Sequence, residues 1–548
     1  MSNNTDLETL NSSSTSSLPN LGDQDLNMYD EISLSSSQDS SASDSSDKIN
    51  KVKTHESSQL IKMVTTKNDD YTILTKNERI TIALLLSLIG LCSSMSMPIY
   101  WTALSQLQNE FNTTEARINY TVTAYLCFQA VAPVFISSLS DILGRRPTIL
   151  ICILGGIATN IGLAVSRTYW LIVFLRCVLA TCLAPLISIT TASVGDFTTK
   201  RNRGGLTSLT QGFTLIGQGI APFLGAVMDT AWGWPAIFWF SAAFEGLVLM
   251  IAFFFLPETH RGLVGDLSVR PKLWIHKSPI LYYFKNRLID YNNELVEGIN
   301  HKYDPWTPLK KIFKINVFYI LLPSSILFAL WTIAQTSLSI HLSKDYNMSV
   351  LNIGFCFFSP GSAAFVGTLL TGRVLDHIYS KQKQKYNEKY FSEKNNHYHS
   401  LSEIPPFNII YVRLYSIPFA ALITCLATIV FGWCIEYKVS LVPILIMSFI
   451  LTFGTMFPLN ITATVLVDMY PEISGGATAL NNLFRCGMSA IFVSCLNKME
   501  SSMTVGGTYT FMAGISMLAT MLIVILMRKS EKILIKARDK KLEKDSKK

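Results

Sequence analysis

Two ionisable residues stand inside long apolar runs of this 548-residue chain. Arg176 lies in Phe174-Leu-Arg-Cys-Val-Leu-Ala180, and Glu245 in Phe240-Ser-Ala-Ala-Phe-Glu-Gly-Leu247. An ion in such surroundings is costly and normally faces protein or a water-filled cavity. Apolar burial disfavours the charged form of a carboxyl group, so Glu245 can gain and lose a proton, as a proton-coupled carrier requires. Each residue has a plainer alternative. Arg176 can snorkel its head to a membrane surface, and Glu245 can stay protonated and bonded to a neighbouring helix. A third charged feature, Ser137-Ser-Leu-Ser-Asp-Ile-Leu-Gly-Arg-Arg-Pro147, separates two apolar runs. It places Asp141, Arg145 and Arg146 where ions can be solvated at a membrane surface. Gly144 permits a backbone conformation that a Cβ would penalise, and Pro147 suits the first turn of a helix.

The elements that must position these groups are membrane spans. The chain is 49% hydrophobic and 15% charged, and its apolar residues come in blocks of about 20, enough for a helix to cross a bilayer. The first six spans read Ile80–Leu104, Asn119–Leu139, Pro147–Val165, Trp170–Val194, Gly205–Met228 and Pro235–Leu256. Six more read Ile315–Leu338, Val350–Leu375, Leu414–Ile435, Leu441–Val467, Ala477–Leu496 and Gly506–Met527. The fold class is therefore all-α integral membrane, with twelve helices in two six-helix halves, 76–256 and 315–530. A Ser-rich tail (1–75) reads as disordered, 257–314 as a cytoplasmic linker, about 376–406 as a polar insertion and 531–548 as a basic tail.

An even number of spans puts both ends on one side, and the basic residues gather there: Arg145, Arg146, Lys200, Arg201, Arg203, Lys381, Lys383, Lys385 and the tail. Both termini are expected in the cytoplasm, with the plasma membrane as the location. No early apolar segment follows a basic start, so the first span is expected to act as an uncleaved signal anchor. Asn112-Thr-Thr114 and Asn347-Met-Ser349, on the opposite side, have the glycosylation-acceptor pattern, a tripeptide that also arises often by chance. The net charge of +8 belongs to loops and tail, so a nucleic-acid partner is not expected; the expected partners are the bilayer, protons and a small solute, with the chain a monomer. Ten cysteines show no metal-type spacing and read as buried free thiols. No Gly-x-x-x-x-Gly-Lys-Ser/Thr loop is present, so the proton gradient, with no cofactor, is the expected drive. No nucleophile–base set suggests an enzyme.

Asp141-x-x-Gly144-Arg145-Arg146 after the second span resembles the loop motif of the major facilitator superfamily, with Ser137 in place of the leading glycine. Gly372-Arg-Val-Leu-Asp376 echoes it after span eight, without the Gly-Arg-Arg. Arg176 matches the superfamily's span-four arginine, which the resemblance implicates in proton coupling, although Leu179-Ala180 replaces the usual Gln-Gly. Gly217-Gln-Gly-Ile-Ala-Pro-Phe-Leu-Gly-Ala226 resembles the antiporter motif, with Gly217, Ala221, Pro222 and Gly225 at its positions and alanine replacing two glycines. Pro98-Ile-Tyr100, Trp232-Gly-Trp-Pro-Ala-Ile-Phe-Trp-Phe240, Leu256-Pro-Glu-Thr259, Val467-Asp-Met-Tyr-Pro471 and Thr478-Ala-Leu-Asn-Asn-Leu-Phe-Arg-Cys486 resemble the quinidine-resistance group of fungal twelve-span drug:proton antiporters. Pro235 departs from it, since relatives commonly carry arginine there.

The resemblance implies that Asp196 pairs with Arg145 and that Asp141 docks near Gly475-Gly-Ala-Thr478. Together they would form a cytoplasmic latch between the halves. Tyr100, Tyr125, Gln129, Trp331, Gln335, Asn460, Asn481 and Asn482 are the candidate substrate-binding residues, supplying aromatic faces and adaptable hydrogen-bond groups. Interhelical packing is the alternative for each. Arg485 reads either as a surface anchor or as an ion facing the cavity. The expected function is proton-coupled export of amphipathic organic solutes or drugs by alternating access. A carrier for a metabolite (an amino acid, polyamine or cell-wall precursor) and a transporter-like sensor stay open as alternatives.

Overall fold

Helices follow wherever the apolar blocks run, because a backbone in lipid must satisfy its own N–H and C=O groups. The computed structural model describes residues 72–198, 200–271, 273–282, 310, 315–390, 407–469 and 474–545. The expected disordered tail, except its last residues, lies outside them, as do most of 283–314 and all of 391–406.

The first half contains α1 (Lys76–Trp101), α2 (Glu115–Leu143), α3 (Arg145–Val165), α4 (Tyr169–Phe197), α5 (Lys200–Trp232) and α6 (Pro235–Phe255). The second contains α7 (Ile315–Lys344), α8 (Val350–Tyr390), α9 (Ile410–Glu436) and α10 (Leu441–Met469). It ends in the stretch Ser474–Asp545, broken at Thr504 (φ 66°) into α11 (474–503) and α12 (505–545). Glu436, at the end of α9, stabilises the start of α12 by accepting from the backbone N–H of Val505 at 2.8 Å. Among the described residues, α5 is the helix that does not reach the apolarity that marks a span, although its 33 residues are long enough. It is rich in Gly, Thr and Gln because it packs between other helices.

Each half packs internally, α1 against α5 and α3 against α6 in the first, α8 against α10 and α7 against α11 in the second. The halves meet through two crossed pairs, α2 with α11 and α5 with α8. Large apolar residues such as Leu154, Phe174, Leu247, Phe419, Val442 and Leu518 remain exposed on the outer helices. In a bilayer that belt faces acyl chains, where it costs nothing.

The structure departs from these expectations at several points. The turn after the second span shrinks to one residue: α2 runs through Leu143, α3 begins at Arg145, and only Gly144 (φ +97°) lies between them. Arg145 and Arg146 are not solvated at a surface but buried at 7% and 2% exposure. The start of the linker is packed: Val264, Leu267 and Val269 are buried, and Asp266 accepts from Ile73 N–H. Helix α8 also continues through Lys381–Tyr390, the first part of the expected insertion, and α12 continues to Asp545 through most of the expected basic tail. All ten cysteines are free, but Cys127 and Cys495 are exposed on their helices, not buried.

Candidate functional site

Arg176 is fully buried on α4. Its guanidinium carbon lies 4.0 Å from the ring centre of Tyr100 and 4.3 Å from that of Tyr125. Two aromatic faces about a desolvated cation can contribute about 2 kcal/mol or more. The tyrosines are themselves held: Tyr100 shares a hydrogen bond with Thr121 (2.9 Å), and Tyr125 donates to Ser96 (3.0 Å). Arg176 Nη1 donates to the Ser96 carbonyl at 3.3 Å, while Nε and Nη2 have no hydrogen-bond partner among the described residues. Arg176 therefore does not snorkel. Tyr100 and Tyr125, candidates for the substrate pocket, form the walls of its cage.

Glu245 on α6 is 2% exposed. Its Oε1 accepts from Asn160 of α3 at 2.9 Å, and Oε2 has no hydrogen-bond partner among the described residues. A crevice with room for about one water separates it from α1; Cys92, Ser96, Asn160, Phe238, Ser241 and Glu245 are among its lining residues. Ser96 thus connects the two groups, lining the Glu245 crevice and accepting from Arg176. Asn160 carried no motif and was missed in the sequence.

At the junction of α2 and α3, Arg145 Nη1 contacts Asp141 at 2.6 Å and Nε contacts Asp196 at 3.1 Å. All three residues belong to the first half. The Arg145–Asp196 pair therefore ties α3 to α4 within one half, and the expected latch across the halves is not what these contacts make. Asp376 lies on α8, with its side chain outside the described residues.

The residue that organises this end is Glu258, part of a motif quoted above but given no role there. Its Oε1 accepts from the backbone N–H of Arg145 (2.9 Å), Thr259 and His260, and its Oε2 from Arg146 N–H (3.2 Å). A carboxylate thus caps the start of α3. His276 of the linker contacts Oε2 at 3.1 Å. Burial pushes the Glu258 carboxyl up, but the bonds from His276 and the backbone N–H groups outweigh it and hold it below the usual range. Arg146 in turn donates to the carbonyls of Phe253 (2.8 Å), Leu256 (2.9 Å) and Ile275 (2.5 Å).

The antiporter-type stripe has two faces. A Cβ on Gly217 would come within 2.5 Å of Ser94 Oγ, and one on Gly225 within 2.5 Å of the Ile99 carbonyl, so these glycines let α5 lie against α1. Ala221 is fully buried, and Pro222 sits inside the helix. On the other face Gly219 meets Gly361 of α8, backbone to backbone, across the halves.

The remaining candidates are dispersed. Trp331 packs edge-on against Trp101 of the first half at 5.7 Å. Gln335 donates to Thr452 (3.3 Å) and Asn460 to Thr368 (3.2 Å), both inside the second half. Asn481 is buried, and Asn482 accepts from Arg485, whose guanidinium stacks 4.5 Å from the Phe328 ring. Arg485 is thus not a surface anchor. Gln129 is half-buried, with its Oε1 unpartnered.

On the side away from Gly144 the halves are joined by polar contacts. Ser339 donates to the Trp101 carbonyl (2.6 Å), Lys344 pairs with Glu115 (2.7 Å), and Asn119 donates to Asn497 (2.7 Å). Two six-helix halves meeting at α2–α11 and α5–α8 agree with the family comparison, in which the Major Facilitator Superfamily profile matches residues 86–493. The chain belongs to the Major Facilitator Superfamily. Among superfamily relatives it is 36% identical over 486 residues to the MFS antiporter QDR2 of Candida albicans, covering 87% of this chain and 95% of that protein. It is 34% identical over 494 residues to quinidine resistance protein 1 of Saccharomyces cerevisiae, covering 86% and 87%. The partially occluded inward-open structure of the xylose transporter XylE from E. coli superposes with a TM-score of 0.57 at 13% identity, covering 82% of this chain and 97% of that one. That likeness speaks to the fold alone.

Proposed function

We propose that the protein is a plasma-membrane antiporter that exports amphipathic organic solutes in exchange for protons, working by alternating access. The side bearing Gly144 and both chain ends would face the cytoplasm. The observation that carries the reading is Ser96, which lines the crevice beside Glu245 and accepts from Arg176, the cation caged by Tyr100 and Tyr125. A buried carboxyl with one free oxygen beside a small crevice is built to exchange a proton. Two relatives named as an antiporter and a quinidine-resistance protein support the solute class. The contacts of Trp101, Glu115 and Asn119 with the second half would then be the closed outer gate.

The test is quinidine uptake into inside-out vesicles whose lumen is acidified. Uptake driven by the gradient is expected. Arg176→Ala and Glu245→Gln should each remove the dependence on the gradient while the protein still reaches the membrane. Gradient-driven uptake that survives both changes would overturn the coupling roles.

A further inference from the structure

The far ends of α7 and α11 carry a charged cluster separate from both Arg176 and Glu245. His341 Nδ1 lies 2.6 Å from Asp345 Oδ2, and Nε2 lies 3.8 Å from Glu500 Oε1. Ser337 donates to that same Glu500 oxygen at 3.1 Å. Lys438, between α9 and α10, holds the other Asp345 oxygen at 3.0 Å. Lys344 meets Glu115 of α2, and Tyr509 of α12 stands beside Glu500 and Ser337. Tyr346 turns away to the Val439 carbonyl. With an imidazolium at His341, three cations face the carboxylates of Glu115, Asp345 and Glu500; with a neutral ring one carboxylate is left over.

Place gives the cluster its consequence. Ser339, two residues before His341, and Lys344, three after it, both reach the first half. Asn497, three residues before Glu500, accepts from Asn119 of the first half. The two helix ends that His341 bridges therefore carry all three of these contacts between the halves.

We propose that His341 is a second proton-binding site of the exchange, loaded from the side away from Gly144, whose proton draws the ends of α7 and α11 together and holds that side shut. This deepens the antiport reading and rests on it for the place of the step in a cycle. A neutral ring donates through Nδ1–H to Asp345 and turns the lone pair of Nε2 toward Glu500. An arriving proton bonds to Nε2 and makes it a donor, so the 3.8 Å gap to a carboxylate closes to a charge-assisted hydrogen bond. The side chains of His341 and Glu500 are 15% and 16% exposed, so water on that side can deliver the proton. In an exchange cycle this proton shuts the gate behind the departed solute. Glu245, in the first half, carries its proton separately.

Spin labels on the exposed residues Glu110 and Ser501, with Cys127 and Cys495 replaced by serine, report the gap between the halves on that side. In the full-length protein in proteoliposomes, the closed population should rise as that side is acidified from pH 8 to 5, with a midpoint in the histidine range, about 6.5 before its neighbours act. His341→Gln should remove the step. Glu500→Gln should move the midpoint down, because a carboxylate stabilising the imidazolium is gone. Glu245→Gln should leave the step in place. No step in the parent protein, or a step unchanged in His341→Gln, overturns the site. Quinidine flux measured on the same samples separates the two readings: a step without gradient-driven flux removes the antiport assignment and keeps the gate proton, and flux without a step does the reverse.

Discussion

Arg146 and Glu258 cap each other's helices. The Glu258 carboxylate accepts from the first backbone N–H groups of α3, and the Arg146 guanidinium covers the last carbonyls of α6, at Phe253 and Leu256. Each charge meets the helix end of opposite sign. The exchange fastens α3 to α6 and pins the linker, through Ile275 and His276, to the first half.

Glu258→Gln keeps the shape and removes the charge from a fully buried side chain. The loss is about 2–3 kcal/mol, the worth of hydrogen bonds to a charged group. Thermal unfolding in detergent should begin several degrees lower, and protease should cut near Lys277 sooner. The pH dependence follows from the depressed carboxyl. Its stabilisation is complete above the ordinary glutamate value of about 4.3 and is lost as pH falls through the lower folded value. Protease protection of the linker should therefore be flat from pH 8 to 5 and fail only in stronger acid.

Gly144→Ala should be severe. Its φ of +97° disfavours a side chain, and a Cβ would lie 2.6 Å from Glu258 Oε2 and 2.8 Å from the His276 ring. Backbone strain of about 1–2 kcal/mol adds to the disrupted cap. Gly372, which stands in the echo of the motif where Ser137 stands in the first half, meets nothing within 4 Å and is exposed in α8. Gly372→Ala should be neutral or gain up to about 1 kcal/mol from helix propensity. Folded yield by size-exclusion chromatography distinguishes the pair.

Gly361→Ala tests the contact between α5 and α8. The new Cβ would sit 2.6 Å from the Gly219 carbonyl, backbone that cannot swing aside. Quinidine flux should fall strongly at near-normal expression, because the clash lies between the halves. Gly514→Ala, with nothing within 4 Å, is the control.

Asn112 and Asn347 occupy exposed turns on one side of the protein, at φ 46° and 48°. If that side is the exterior, glycosidase treatment of the protein from cells should sharpen and lower its band. Asn112→Asp and Asn347→Asp, chosen because aspartate tolerates the left-handed backbone, should each remove one step of the shift.

Much of the fold is legible in the sequence because apolar blocks of spanning length have few alternatives in a bilayer. The block lengths placed the helices, and their number implied the two halves. The same logic marked Arg176 and Glu245, since an ion in an apolar helix needs a reason to be there. The motif at Asp141–Arg146 was legible as a charged junction, but its partners were not. Arg145 binds Asp196 as expected, but the pair lies inside one half and does not bridge the two.

The sequence by itself determined which segments cross the membrane and which ions travel with them, because lipid solvation acts on each helix separately. Only the tertiary structure decided what those ions meet. Glu258 accepts from the backbone N–H of Arg146 across 112 positions, Arg176 selects two tyrosines from other helices, and α5 turns one small face to α1 and the other to α8. Such pairings depend on the rotation and depth of each helix against its neighbours, quantities fixed by packing between helices and not by the composition of any one of them.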